Sequence, residues 1–204
     1  MDFIYLASQS PRRSQLLDQL GVAHRLLLPD ANEDAESLEA TRAGEGALAY
    51  VQRVTALKLT AALARMRGRK LPSAPVLCAD TTVALGRTIL GKPQDADDAR
   101  RMLEALSGQS HRVITAIALG HGKRRVSAVS VSRVRFAPLT RAQIAAYVAC
   151  GEPMGKAGAY AVQGRAAAFI AQMSGSYSGI MGLPLFETAQ ALQTFGFMPC
   201  NKTS

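Results

Sequence analysis

Val76-Leu77-Cys78-Ala79-Asp80-Thr81-Thr82-Val83-Ala84-Leu85-Gly86-Arg87-Thr88-Ile89-Leu90-Gly91-Lys92-Pro93 is the stretch whose reading decides the fold. A run of small and apolar residues delivers one carboxylate, Asp80, followed by the hydroxyls of Thr81 and Thr82, and Lys92 follows in a Gly91-Lys92-Pro93 corner. Short apolar runs bounded by glycine and proline read as strands. An acid and an ammonium at the ends of two adjoining strands can share one crevice, which suits a phosphate ester and an attacking water. Gly86 to Lys92 also fits G-x-x-x-x-G-K, but Pro93 stands where a P-loop has the Ser or Thr that holds magnesium. The β-branched Thr88 and Ile89 suit a strand better than a phosphate-wrapping loop, so the P-loop reading is set aside.

Upstream, residues 3–7 read as a short buried strand. Ser10 then offers an N-cap and Pro11 a first helical residue. Leu16, Leu17 and Leu20 form an apolar stripe that stops at Gly21. Free amides at such a helix start attract phosphate, and Arg12 and Arg13 occupy its first turn; the pair is either placed for an anion or simply solvated. Leu26-Leu27-Leu28 is a second strand candidate. The acidic segment 29–39, with Asp30, Glu33, Asp34, Glu36 and Glu39, consists mostly of solvated charges, of which one or two could face the cleft and hold a divalent ion. A helix over 45–67 buries Leu48, Val51, Thr55, Leu59, Ala62 and Met66 on one face. Lys58 flanks that stripe, where it either snorkels or reaches the cleft, and Arg53 points away.

Downstream, 95–106 is an amphipathic helix with Ala96, Ala99, Met102, Leu103 and Leu106 inward. Residues 113–119 and 126–136 form a hairpin turning at 120–122. In its second strand Val129 and Val131 alternate with serines while Val134 and Phe136 fall out of step, which predicts a bulge. Thr140 caps a helix through 148. A glycine-rich segment over 152–164, a turn at 174–178 and a closing helix over 183–195 complete an α/β fold with a mixed sheet.

The 204 residues suit one domain spanning 1–204. With 24 Lys and Arg against 15 Asp and Glu the formal charge is +9, which favours a polyanionic partner. The basic residues are scattered and tryptophan is absent, so a nucleotide enzyme is favoured over a stable nucleic-acid binder. Cys78, Cys150 and Cys200 have no metal-ligand spacing and read as reduced thiols. No N-terminal leader is visible and no apolar run approaches the roughly 18 to 20 residues that cross a bilayer, so no membrane partner and a cytoplasmic location are expected.

Six separated segments resemble the Maf nucleotide pyrophosphatases: Leu6-Ala7-Ser8-Gln9-Ser10-Pro11-Arg12-Arg13, Ala79-Asp80-Thr81-Thr82-Val83, Gly91-Lys92-Pro93, Leu106-Ser107-Gly108 with His111, Lys156 to Gly164, and Ser176-Tyr177-Ser178 through Leu185. The resemblance implies an elongated mixed sheet flanked by helices, related to the inosine triphosphatase fold, with a cleft between two lobes. It implies hydrolysis of a nucleoside triphosphate between the α and β phosphates with a divalent cation, Mg2+ or Mn2+, and a possible homodimer. Tyr160-Ala161-Val162-Gln163-Gly164 resembles the branch acting on dTTP and UTP. Carried across, Asp80 corresponds to the proton acceptor. Arg12, Thr81 and Gln163 correspond to residues that tune base choice, and Ser8, Arg13, Lys58 and Lys92 to the phosphate site. Glu33 matches the acidic loop residue that would join Asp80 at the metal, although the family has an Asp-Glu pair where this chain has Asn32-Glu33-Asp34.

Chemistry beside the resemblance is consistent with it. Asp80 can take the proton of the attacking water or hold the ion that acidifies it. Lys58, Lys92 and Arg13 can neutralise a triphosphate. The Gln163 carboxamide matches the O4 and N3-H edge of uracil and thymine. His111 reads as structural, His24 and His121 as surface residues, Cys78 as a small hydrophobe and Lys123-Arg124-Arg125 as a hairpin tip. The alternatives are a broader or modified-nucleotide pyrophosphatase, or a nucleotide-sensing, division-regulating or nucleic-acid-associated protein.

Overall fold

The structure, a computed structural model, describes residues 3–30, 33 and 37–198; Asn32, Asp34, Glu36 and Cys200 lie outside the described residues. In chain order the elements are β1 (Ile4–Leu6), α1 (Pro11–Gln19), β2 (His24–Leu26), a 3-10 turn (Ser37–Glu39) and α2 (Ala47–Gly68). They continue with β3 (Val76–Leu85), β4 (Thr88–Leu90), α3 (Ala96–Leu106), β5 (Ser110–His121), β6 (Arg124–Phe136) and α4 (Arg141–Ala149). Two 3-10 turns (Ala157–Ala159 and Arg165–Phe169), β7 (Ile170–Ser174), α5 (Tyr177–Met181) and α6 (Leu185–Gln193) complete them. The strands form one mixed sheet in the order β2-β1-β3-β5-β6-β7, with β4 paired to β3. β1 runs parallel to β2 and β3, and every other pairing is antiparallel.

Alternation along β3 and β5 sorts the core into two layers. Cys78, Ala84, Ile114, Ala116 and Ala118 pack under α2 against Val51, Val54, Leu59, Ala62 and Leu63. Leu77, Ala79, Ile117 and Leu119 face Leu16 and Leu17 of α1 and Leu192 of α6. Val83, Val113, Val134 and Phe136 continue that second layer against α3 and α4. No helix among the described residues is long and apolar enough to cross a membrane.

Local expectations are met at the helix ends and shifted elsewhere. Pro11 opens α1, where Ser10 takes the N-cap position without a side-chain cap bond, and Thr140 with Gln143 forms a reciprocal capping box on α4. β2 overlaps the expected strand only at Leu26. Beyond that residue β1 has ended, and the carbonyls of Leu27 and Leu28 accept from Arg65 and Arg69 instead of a strand. Leu48 is 45% exposed because the inward stripe of α2 begins with Ala47, Tyr50 and Val51, and Ala96 lies exposed in the first turn of α3. The hairpin turns at Gly122-Lys123; Gly120 stays in β5, where a Cβ would stand 2.9 Å from Arg125 Cδ.

The bulge expected inside β6 is absent from its pairing with β5, which runs in register from Ser110↔Arg135 to His121↔Arg124. Ser130, Ser132, Val134 and Phe136 form one continuous buried face, and Val131 is 50% exposed. The serines turn inward because a loop backbone docks on them: Ser132 Oγ accepts from Ser176 N (3.0 Å) and lies 3.2 Å from Ser176 O. The register shift of β6 occurs on its other side, against β7, between Arg135 and Phe136.

Candidate active site

β1 pairs with β3 only at Val76 and Leu77, and β4 joins β3 only from Val83 onward. Between those partners one edge of β3 is left open, and a groove of about 900 Å3 lies across it. Asp80 looks toward α2 with Cys78, whereas its neighbour Thr81 looks toward α1 and α5. Both line the groove because it wraps around the open edge. Asp80 therefore lies within β3 and not at a strand end, since β5 keeps β3 extended through Ala84.

On the α2 side the site is ionic. Lys58 Nζ is 2.5 Å from Asp80 Oδ1 and 2.7 Å from Glu39 Oε1, so two carboxylates converge on one ammonium. Lys92 Nζ lies 3.1 Å from Glu39 Oε2, which makes Glu39 the bridge between the two lysines; Lys92 meets Asp80 only through that chain. Glu39 is held from α2, where Tyr50 Oη donates to its carbonyl at 2.8 Å and Arg53 donates to the Ala40 carbonyl at 2.8 Å. Burial pushes the Glu39 carboxyl up, but the ammonium groups of Lys58 and Lys92 outweigh it and leave the group below the usual range.

Glu33 also lines the groove, but Arg65 takes both its oxygens, Nε at 2.8 Å and Nη2 at 2.5 Å. The hydrogen bond from Arg65 holds its carboxyl at about 2. Among the described residues no cluster of three or more His, Cys, Asp or Glu is arranged for a metal. The pair that does converge on one cationic point is Asp80 with Glu39. Two hard oxygens of this kind fit an ion that draws its other ligands from water and phosphate.

On the opposite side a guanidinium is held by neutral groups. Arg13 donates through Nε to Gly182 O (2.7 Å), through Nη1 to Ser8 Oγ (3.0 Å) and through Nη2 to Thr81 Oγ1 (3.3 Å). Burial lowers the pKa of Arg13, and Asp80 partly offsets it. Arg12 lines the groove and has no hydrogen-bond or ion-pair partner among the described residues.

The wall above is the segment 155–162, which contributes Lys156, Tyr160 and Val162. Two glycines shape it. Gly158 has φ +67°, its N–H bonds Gly91 O at 2.9 Å, and a Cβ there would fall 2.8 Å from Val83 Cγ1. At Gly164 a Cβ would fall 2.1 Å from Glu152 Oε1. Glu152 accepts from Tyr147 Oη and from Arg165 N at 2.9 Å each, tying the end of the segment to α4. Gln163 is exposed and is not part of the groove lining, although its neighbour Val162 is. Ser8, Arg12, Arg13, Glu33, Lys58, Asp80, Thr81 and Lys92 are thus brought to one groove, and Gln163 stands at its margin.

Cys78 is buried in β3 and its thiol is pushed up to about 12 by burial, which suits a hydrophobe and not a nucleophile. His111 is buried, with Nε2 2.8 Å from Tyr160 Oη. His24 is only partly exposed, its Nε2 against Ser14 Oγ.

The sequence profile described as Maf-like protein matches residues 3–195. The chain belongs to the Maf family. It is 68% identical over 196 residues to a dTTP/UTP pyrophosphatase of Albidiferax ferrireducens, covering 96% of this chain and 98% of that protein. It is 63% identical to one from a Polaromonas species, covering 96% of each, and 59% identical to one from Cupriavidus metallidurans, covering 95% of this chain and 96% of that one. The Maf match takes in every groove residue named above, from Ser8 to Gly182. Glu39 in the groove and the buried Thr115, paired across the sheet with Thr81, are the residues that the sequence does not assign individually. One is lost among neighbouring carboxylates, and the other reads as β-branched filler in an apolar strand.

Proposed function

We propose that this Maf-family chain is a nucleoside triphosphate pyrophosphatase that converts dTTP and UTP, with one water, to the monophosphate and pyrophosphate. The observation that carries the reading is the convergence of Asp80, Lys58, Glu39 and Lys92 on one groove whose opposite side presents Arg12, Arg13 and Ser8. Its support from outside the chain is the name shared by relatives that match nearly end to end.

Asp80 accepts the proton of the water that attacks the α-phosphorus. Lys58, already in contact with it, orients that carboxylate. Lys92 and Arg12 offset charge on the phosphates, as does any N–H that Arg13 has left after holding the floor. Asp80 and Glu39 would hold a divalent cation, which when bound supplies charge neutralisation and a more acidic water. Glu33 serves the fold of the acidic segment through Arg65. Val162 and Tyr160 form the wall nearest the base, with Gln163 at its edge as the group that distinguishes uracil and thymine from cytosine.

Pyrophosphate release by the purified protein with Mg2+ is the direct test. Release is expected to be fastest from dTTP and UTP and about fivefold slower from CTP, on the order of a 1 kcal/mol penalty for a mismatched polar pair at the groove margin. No release from any triphosphate would overturn the reading.

A further inference from the structure

Thr115 lies on β5 directly opposite Thr81 and is buried. Its hydroxyl is 2.7 Å from Gly179 O and 2.9 Å from Thr81 Oγ1. Gly179 O is a carbonyl and can only accept, so the single Thr115 proton goes there. Thr81 must therefore donate its own proton to Thr115, which leaves Thr81 Oγ1 as an acceptor for Arg13 Nη2. Arg13 is fixed on its other edge by Gly182 O, so Nη1 is aimed at Ser8 Oγ. That oxygen also accepts from Ser10 N at 3.2 Å, which fills both of its lone pairs. The Ser8 proton has no acceptor among the described residues, and Ser8 lines the groove. The Gly179 carbonyl thus assigns the Thr115 and Thr81 protons, Arg13, which can only donate, assigns the bond to Ser8, and the Ser8 O–H is left facing the groove.

We propose that Thr115 is a positioning residue that holds the Thr81 hydroxyl as an acceptor facing Arg13 and thereby keeps the guanidinium beside Ser8, so that Ser8 offers its hydroxyl proton to a phosphate oxygen of the substrate. The proposal rests on the groove being a nucleotide site. Replacing Thr115 by valine keeps shape and β-branching and leaves the Gly179 carbonyl its bond from Gly182 N, but strands the Thr81 proton. Thr81 is then free to rotate and Arg13 loses its fixed acceptor.

The test compares the wild type, Thr115→Val, Thr115→Ser, Ser8→Ala and the Ser8→Ala/Thr115→Val double variant. Affinity for a non-hydrolysable UTP analogue is measured by calorimetry beside KM and kcat for UTP and the thermal midpoint. Thr115→Val is expected to weaken binding and raise KM about tenfold with a smaller change in kcat, and Thr115→Ser to restore both to within about twofold. The double variant should bind no more than about twofold worse than Ser8→Ala, because both changes act through the same Ser8 donor. If Thr115→Val does not fold, Thr115→Ala takes its place with the same expected loss. Unchanged affinity in a folded Thr115→Val, a Thr115→Ser as weak as Thr115→Val, or full additivity in the double variant would each overturn the proposal. A wild type that binds the analogue but releases no pyrophosphate would overturn the proposed reaction and leave the binding comparison to judge Thr115.

Discussion

Asp80 and Thr81 are neighbours in sequence and look onto opposite faces of the sheet, and the two faces hold their groups by different physics. Toward α2, Asp80, Glu39, Lys58 and Lys92 form a chain of ion pairs around partly exposed lysines. Toward α1 and α5, Thr81, Thr115, Arg13 and Ser8 are joined by hydrogen bonds to one another and to two backbone carbonyls. Ion pairs at a groove mouth are weakened by salt and can exchange partners when a polyanion arrives. A buried network built around one guanidinium and neutral acceptors changes less with salt and costs about 1 kcal/mol or more per group left unpaired. The contrast suggests a division of labour in which one face rearranges on binding and the other keeps its shape.

The largest expected effect breaks the ionic face at its centre. Asp80→Asn should lower kcat for UTP by at least about a hundredfold, the usual contribution of a positioned general base, while the thermal midpoint moves little because Lys58 keeps Glu39 as a partner. Turnover within about threefold of wild type would remove Asp80 from the chemistry.

The next effect belongs to the opposite face. An unfolded chain protonates His111 near its ordinary value of about 6.5, whereas burial holds the native imidazole down to about 4. Between those values the unfolded state binds more protons, so stability is full above the upper value and falls as acid is added. At roughly 1.4 kcal/mol per unit the loss reaches up to about 3 kcal/mol. Urea midpoints measured from pH 7 to pH 4 should fall less steeply in His111→Gln, and parallel curves would refute the assignment.

A smaller effect separates two carboxylates of the acidic segment. Glu39→Gln should raise the Mg2+ concentration needed for half-maximal activity about tenfold and weaken Mn2+ binding measured calorimetrically with pyrophosphate present. Glu33→Gln should leave metal binding unchanged and cost about 1 kcal/mol or more of stability, because it weakens the two-pronged bond to a largely buried Arg65. Equal metal defects in both variants would return Glu33 to the metal site.

Much of this division was legible before any coordinates. The Ser10-Pro11-Arg12-Arg13 helix start, the strand carrying Asp80 and the flanking position of Lys58 follow from caps and periodicity, which are local rules. Glu39 was not legible because its place is fixed by Tyr50 and Arg53 acting across a turn, not by spacing to Asp80. Thr115 was hidden because a threonine in an apolar strand looks like valine until its partner across the sheet is known. The serines of β6 misled the reading of that strand. Polar residues are normally assigned outward, and these point inward only because the backbone at Ser176 needs partners.

The strand that carries the site is pinned at one end by β1 through Val76 and Leu77, at the other by β4 from Val83, and along most of its length by β5. Substitution can therefore tune the residues between those anchors, but a change in their number cannot be absorbed. One residue gained or lost there would send the carboxylate to the hydroxyl's side and the hydroxyl to the carboxylate's. The five positions from Cys78 to Thr82 have a fixed length even where their chemistry is free to vary.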